Sequence, residues 1–248
     1  MSRLNSRLSV SLGWIMKIQL DINRTHFSRA FWSILFERSA FYNDKIREAI
    51  QAENDCLERG RTVSDFNTGS ISYSSSLCIA SVAAYFQPEC VAEVGTFIGR
   101  SAFSLLKGAE LAGAGAPKIY SCDYSNDIPL HFSSAENVIR YPKTSSTAMF
   151  STLLQQKIYP DLYFIDGRLQ QEDAEILMGL GASDAIFILD DFVGTEKGVA
   201  NAFLLQQLFP ESFLMAYPVE EPLISKFQVF DTPVVAVMVP TTRVRFTN

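Results

Sequence analysis

The sequence predicts an α/β fold, with a doubly wound, mostly parallel sheet that ends in an antiparallel strand pair and is preceded by N-terminal helices. Two observations support this prediction. From about residue 91 onward, short apolar runs alternate with runs of helical periodicity, which is typical of βαβ units. Two of the apolar runs, Leu162 to Ile165 and Ala185 to Leu189, are continuous, as expected of strands that are covered on both faces.

The N-terminal part of the chain indicates helices. Between Phe27 and Glu58, apolar residues recur every three or four positions, and we expect two helices there. The polar stretch at 65–72 is rich in turn-forming residues and predicts a loop. An apolar helix follows from Ser75 to Phe86, and it should end there because Pro88 cannot donate a backbone hydrogen bond.

The remainder of the chain supplies the sheet and its covering helices. The predicted strands are 91–94, 118–122, 137–140, 162–165, 185–189, 212–217 and 228–239. The predicted helices between them are 101–111, 170–180 and 198–209. Only a loop separates the last two strands, so we expect them to form an antiparallel pair.

Composition restricts the class of protein. The net charge is -6 and no long Lys/Arg run is present, which argues against nucleic acid as the main substrate. No apolar stretch is long enough to span a bilayer, so no membrane role is predicted. The four cysteines lack C-x-x-C spacing, which favours a reducing, cytoplasmic compartment.

A glycine-containing loop follows the first strand of the sheet, in the segment from Glu93 to Ser101. Gly95 and Gly99 let the backbone turn sharply and approach a ligand, and the next helix presents free N–H groups at the same edge of the sheet. The two glycines lie four positions apart, so the dinucleotide fingerprint G-x-G-x-x-G is not matched. No Gly-Lys-Ser/Thr is present, which also argues against a Walker phosphate loop.

This loop resembles the first motif, E/D-x-G-x-x-x-G, of class I S-adenosylmethionine-dependent methyltransferases, and in particular of the small-molecule O-methyltransferases related to catechol O-methyltransferase. The segments that end in Asp123, Asp166 and Asp190-Asp191 resemble the ends of the second, fourth and fifth strands of that group. The resemblance covers about residues 65–240. It implies a Rossmann-like fold and S-adenosylmethionine as cofactor.

The resemblance also implies a division of the chain into two parts. Residues 65–248 would form the cofactor-binding methyltransferase domain. Residues 1–64 would form a helical extension that covers the acceptor site or makes a homodimer contact, since it carries large apolar residues such as Phe31 and Trp32.

The resemblance implies a role for several individual residues. Glu93 would act on the cofactor amino group directly or through water, Ser101 would bind the carboxylate, and Asp123 would bind the ribose hydroxyls. Ser145, Ser146 and Thr147 are candidates for the adenine pocket. The predicted cofactor-binding set is Glu93, Gly95, Phe97, Gly99, Ser101, Asp123, Ser70, Ile71 and Ser146. Each also has a structural alternative, in which Glu93 caps a helix, Asp123 starts a turn and Phe97 belongs to the core.

Three carboxylates should converge at the ends of two neighbouring strands. Asp166, Asp190 and Asp191 would repel one another unless they were protonated or neutralised by a cation, and their hard oxygen ligands suit Mg²⁺, Mn²⁺ or Ca²⁺. The related metal-dependent enzymes place aspartates at these positions. We therefore predict Asp166 and Asp190 as catalytic residues and all three aspartates as metal ligands. Alternatively, they cap turns or contact solvent.

One position departs from the pattern of the O-methyltransferases. Leu169 stands where a Lys or His usually takes the acceptor proton, and the neighbouring Arg168 cannot take it, because a guanidinium group has no acceptor and is not deprotonated in proteins. His26 and His131 lie outside the motifs. The sequence thus predicts O-methylation of a small-molecule hydroxyl. The alternatives are a relative with hydroxylase-like chemistry and a cofactor-binding module without catalytic activity.

Overall fold

A computed structural model describes residues 18–20, 27–62, 70–125, 129–226 and 232–246 of the chain. The strands are β1 (Ile18–Leu20), β2 (Cys90–Val94), β3 (Lys118–Asp123), β4 (Val138–Pro142), β5 (Leu162–Ile165), β6 (Ile186–Leu189), β7 (Phe213–Ala216), β8 (Ala236–Pro240) and β9 (Val244–Phe246). The helices are α1 (Phe27–Thr62), α2 (Tyr73–Phe86), α3 (Arg100–Leu111), α4 (Ser146–Gln156), α5 (Gln171–Gly179), α6 (Lys197–Leu208) and α7 (Glu221–Lys226).

Seven strands form one sheet in the order β4-β3-β2-β5-β6-β8-β7. Strand β8 runs antiparallel to both β6 and β7, whereas all other pairs in this sheet are parallel. Strands β1 and β9 form a separate parallel pair. The predicted fold class, including the antiparallel pair at the C-terminus, is confirmed.

Helices cover both faces of the sheet. Buried residues of α1, α2 and α3 pack on one face, together with Val91 of β2. Buried residues of α4, α5 and α6 pack on the other face, together with Ala92. Successive residues of β2 therefore point to opposite helical layers, as the pleat of a strand requires.

The N-terminal helices differ from the prediction. A single helix of 36 residues, α1, spans the region where we expected two. The only glycine within it is Gly60, in the last turn, and it contains no proline, so no residue breaks the helix earlier. Near its start, the indole nitrogen of Trp32 donates a hydrogen bond of 2.6 Å to the Tyr217 carbonyl oxygen, which fixes α1 beside β7.

The sequence prediction missed two helices, α4 and α7. Helix α4 is capped by Ser145, whose hydroxyl accepts a hydrogen bond from the amide of Ala148. The last strand was also predicted too long, because β8 begins only at Ala236. Residues 228–231, which belong to that predicted strand, lie outside the described residues. No helix in the described part of the chain is long and apolar enough to cross a membrane.

Candidate functional site

The candidate site lies at the carboxyl edge of the sheet, where β2 has β3 on one side and β5 on the other. In open α/β sheets this reversal of strand order forms a crevice in which ligands bind. A cavity of about 390 Å³ opens here, within the size range of small-molecule sites. Its lining comprises Val94, Gly95, Phe97, Cys122, Asp123, Tyr124, Ser125, Thr144, Ser146, Asp166, Gly167, Arg168 and Lys197.

The glycine loop forms one wall of this cavity. Gly95 has a φ of 101°, which L side chains rarely adopt, and a Cβ atom at this position would lie 3.1 Å from the Cβ of Asp166. The Gly95 amide donates a hydrogen bond of 2.9 Å to the Cys122 carbonyl oxygen. The loop therefore runs close to the ends of β3 and β5.

Asp123 fastens this loop to the end of β3. Its carboxylate accepts hydrogen bonds from the amides of Phe97, at 2.8 Å, and of Ser125, at 2.7 Å. Asp123 therefore shapes the loop, which is the structural alternative considered above, and it also lines the cavity. Because a carboxylate has about four lone-pair sites, it can still accept hydrogen bonds from a ligand.

Glu93 is fully buried beneath the glycine loop and is absent from the cavity lining. The Ser101 hydroxyl donates a hydrogen bond of 2.5 Å to its carboxylate, and the Ser121 hydroxyl donates another. Burial raises the pKa of Glu93 to about 7; these two hydrogen bonds lower the pKa, and the nearby charges of Asp166 and Asp123 raise it. Direct contact between Glu93 and the cofactor stays a prediction.

Ser146 lines the cavity at the start of α4. Its hydroxyl donates a hydrogen bond of 2.8 Å to Asp173, and the Thr147 hydroxyl donates one of 2.7 Å to the same carboxylate. Asp173 therefore holds two of the residues that are candidates for the adenine pocket. The sequence analysis did not identify Asp173. The sequence pattern that could have identified Asp173 is a capping box at the start of α5. Asp173 stands three residues after Gln170 and accepts a hydrogen bond from the Gln170 amide.

Four other predicted cofactor residues lie outside the cavity lining. They are Ser70, Ile71, Gly99 and Ser101. Gly99 precedes α3 with a φ of 82°, and the side chains of Leu130 and Phe132 cover it. Ile71 is buried in the core beside α1. Their roles in cofactor binding stay predictions.

Asp166, Asp190 and Asp191 converge as predicted, with one carboxylate oxygen of each lying within 4.8 Å of the others. A lysine that the sequence interpretation did not include lies among them. The Lys197 ammonium nitrogen is 2.7 Å from Asp166 Oδ1 and 3.0 Å from Asp191 Oδ2. A divalent ion bound between these oxygens would meet the ammonium group. The cluster as arranged therefore does not fit such an ion unless Lys197 moves away.

The environment of the cluster shifts several pKa values. Burial, followed by the charges of Asp166 and Asp191, raises the pKa of Asp190 to about 7. Burial also raises the pKa of Asp166, against the opposing effect of Lys197. For Lys197, burial alone would lower the pKa, but attraction to Asp166 and hydrogen bonds to Asp166 and Asp191 outweigh it and raise the pKa. Lys197 therefore remains a cation at neutral pH.

Leu169, at the position of the expected base, is buried in the core. Asn201 of α6 accepts a hydrogen bond of 2.9 Å from the Leu169 amide and donates one of 2.8 Å to the Gly167 carbonyl oxygen. The turn after β5 is therefore fixed to α6. His131 is absent from the cavity lining, and His26 lies outside the described residues.

Several solved structures are similar to this chain. An O-methyltransferase from Bacillus cereus in complex with SAH (S-adenosylhomocysteine, the demethylated cofactor) is 13% identical, with a TM-score of 0.54 over 75% of this chain and 88% of that one. The O-methyltransferase TomG from Streptomyces achromogenes, which is involved in tomaymycin synthesis and was solved with SAM (S-adenosylmethionine), is 13% identical, with a TM-score of 0.51 over 77% and 89%.

A third structure, the SAH-bound methyltransferase PaMTH1 from Podospora anserina, is 15% identical, with a TM-score of 0.50 over 83% of this chain and 94% of that one. No protein-family model matches the chain. No curated protein matches it either. At these identities the likeness establishes the fold, which this chain shares with the three methyltransferases.

Proposed function

We propose that this chain is an S-adenosylmethionine-dependent methyltransferase that methylates a hydroxyl group of a small molecule. The observation that supports this most is the meeting of the glycine loop, Asp123 and Asp166 around one cavity at the point where the strand order reverses. The fold shared with three methyltransferases adds support from the architecture.

The lining of the cavity suits the cofactor. Asp123, with lone pairs beyond those that hold the loop, would accept hydrogen bonds from the ribose hydroxyls. Phe97 and Ser146 line the same cavity and would contact the adenosine. The sulfonium carries a positive charge, which the nearby carboxylate of Asp166 would stabilise.

The reaction would be an in-line displacement at the methyl carbon. A lone pair of the acceptor oxygen forms the new C–O bond, and the electrons of the C–S bond return to sulfur, which leaves the neutral thioether S-adenosylhomocysteine. The acceptor proton would pass to the pair formed by Asp166, which lines the cavity, and the buried Asp190 beside it. Because the pKa of Asp190 is about 7, this pair can accept a proton near neutral pH.

A divalent metal at Asp166, Asp190 and Asp191 stays a prediction from the sequence. Mg²⁺, Mn²⁺ or Ca²⁺ would have to displace Lys197 from two of the three carboxylates. For this reason the proposed reaction uses no step at a metal. Any role of a bound ion would be to orient the acceptor oxygen.

A cofactor-binding module without catalytic activity is the second candidate, and the burial of Leu169 at the expected base position favours it. Incubation with S-adenosylmethionine that carries a labelled methyl group, together with a panel of hydroxylated acceptors, tests both candidates. Labelled product from at least one acceptor supports the methyltransferase. Cofactor binding without transfer to any acceptor supports the inactive module.

A further inference from the structure

Lys197 lies at the first position of α6 and joins two of the three carboxylates at the ends of β5 and β6. Its ammonium nitrogen contacts Asp166 and Asp191 at salt-bridge distance, and its side chain is 28% exposed. An ammonium group has three N–H donors. Two point to these carboxylates, so one is left for a ligand in the cavity that Lys197 lines.

The backbone of α6 fixes Lys197 at this place. The next residue, Gly198, lies so close to β6 that a Cβ atom there would be 2.2 Å from the Asp190 carbonyl oxygen. Only glycine permits this approach. One turn later, Asn201 holds the segment from Gly167 to Leu169 through two hydrogen bonds.

Residues 197 and 201 lie four positions apart and therefore share one face of α6. That face is docked against the turn after β5 by Asn201 and against the end of β6 by Gly198. The lysine is thus part of a fixed arrangement, unlike an ion pair between two mobile surface side chains.

We propose that Lys197, and not a divalent metal, supplies the positive charge among the three carboxylates of this site. Its ammonium group holds the acceptor oxygen beside Asp166. It neutralises charge in the carboxylate cluster and offers its third N–H to the acceptor. The part concerning the acceptor rests on the proposed methyl transfer. The claim that Lys197 takes the place of a divalent metal does not rest on methyl transfer, and it can be tested without any acceptor.

The test measures binding of Mn²⁺ to the full-length chain by electron paramagnetic resonance, in which bound Mn²⁺ loses the signal of the free ion. Lys197→Met keeps most of the side-chain volume but removes the charge. It should therefore bind Mn²⁺ more tightly than the parent by about tenfold or more, because the carboxylates lose their cation. Lys197→Arg retains the charge and should resemble the parent.

Two further variants locate the site that Lys197→Met gains. Adding Asp191→Asn to Lys197→Met should remove it, because one of the three carboxylates is lost. Lys107→Met is the matched control for net charge. It removes a lysine that pairs with a single carboxylate, Glu110, at 2.9 Å on α3, and should gain no Mn²⁺ site.

Equal Mn²⁺ affinity of the parent and Lys197→Met would overturn the proposal, as would the absence of a site in both. Circular dichroism checks the fold of each variant. If Lys197→Met does not fold, Lys197→Gln replaces it. Tight binding of Mn²⁺ to the parent protein would by itself be sufficient to overturn the proposal. Separate titration with S-adenosylmethionine tests the proposed function, so failure of either idea can be recognised independently.

Discussion

The amide of Phe97 donates a hydrogen bond of 2.8 Å to the carboxylate of Asp123, so the residue that ends β3 holds the glycine loop that follows β2. The same carboxylate lines the cavity in which we place the cofactor. One side chain thus connects the shape of the loop with recognition of the ligand.

Asp123→Ala should weaken binding of S-adenosylmethionine by about 1.5 to 3 kcal/mol, the range for hydrogen bonds to charged groups. Calorimetric titration measures this change. Asp123→Asn keeps one oxygen acceptor for the loop amides and should lose less affinity than the alanine variant. If the alanine variant binds the cofactor as tightly as the parent, Asp123 does not contact it.

Gly95→Ala should reduce cofactor affinity because the added methyl group would lie 3.1 Å from the Cβ of Asp166 and displace the loop. The matched control is Gly113→Ala. Gly113 also has a positive φ, 81°, but nothing lies within 4 Å of the added atom. Both variants should lose about 1 to 3 kcal/mol of stability through backbone strain. Only Gly95→Ala should lose affinity, and an equal loss in both would refute the role of the loop.

Glu93 should make the stability of the protein depend on pH. The folded protein keeps the Glu93 proton up to a pKa of about 7, whereas the unfolded chain releases it near 4.5. Between these values the folded state binds more protons, so the free energy of unfolding falls as pH rises. Glu93→Gln cannot titrate, and its Ser101 and Ser121 partners can also accept hydrogen bonds.

Above pH 7 the Glu93→Gln variant should therefore be more stable than the parent, by up to about 3 kcal/mol. Denaturant unfolding at a series of pH values measures the difference. The advantage should shrink as pH falls towards 4.5, the ordinary pKa of the side chain. If the free energy of unfolding depends on pH in the same way for both proteins, Glu93 does not titrate between these pH values.

Much of the sheet could be predicted from the sequence, because buried parallel strands are continuously apolar. The predicted bounds of β5, Leu162 to Ile165, agree with the structure. The break predicted within α1 was wrong, because local periodicity does not show whether a helix continues through a polar stretch. Helix α4 escaped prediction because its first turns are rich in hydroxyl residues, which also favour loops.

The convergence of Asp166, Asp190 and Asp191 could be predicted from the ends of two neighbouring strands. The presence of Lys197 among them could not. The ion pairs of Lys197 join residues of different elements and exist only once α6 has docked on the sheet. The orientation of Glu93 could have been predicted, because Glu93 shares the face of β2 with Val91, which packs against the layer of α1, α2 and α3. Glu93 therefore points towards Ser101 at the start of α3, which explains why it is absent from the cavity lining.

Calorimetric titration of the full-length chain with S-adenosylmethionine, S-adenosylhomocysteine and NAD tests the central claim most directly. The proposed site predicts saturable binding of S-adenosylmethionine and its demethylated product, with one site per chain, and no binding of NAD. Binding of NAD without S-adenosylmethionine would contradict the claim, and so would the absence of binding by either methylation cofactor.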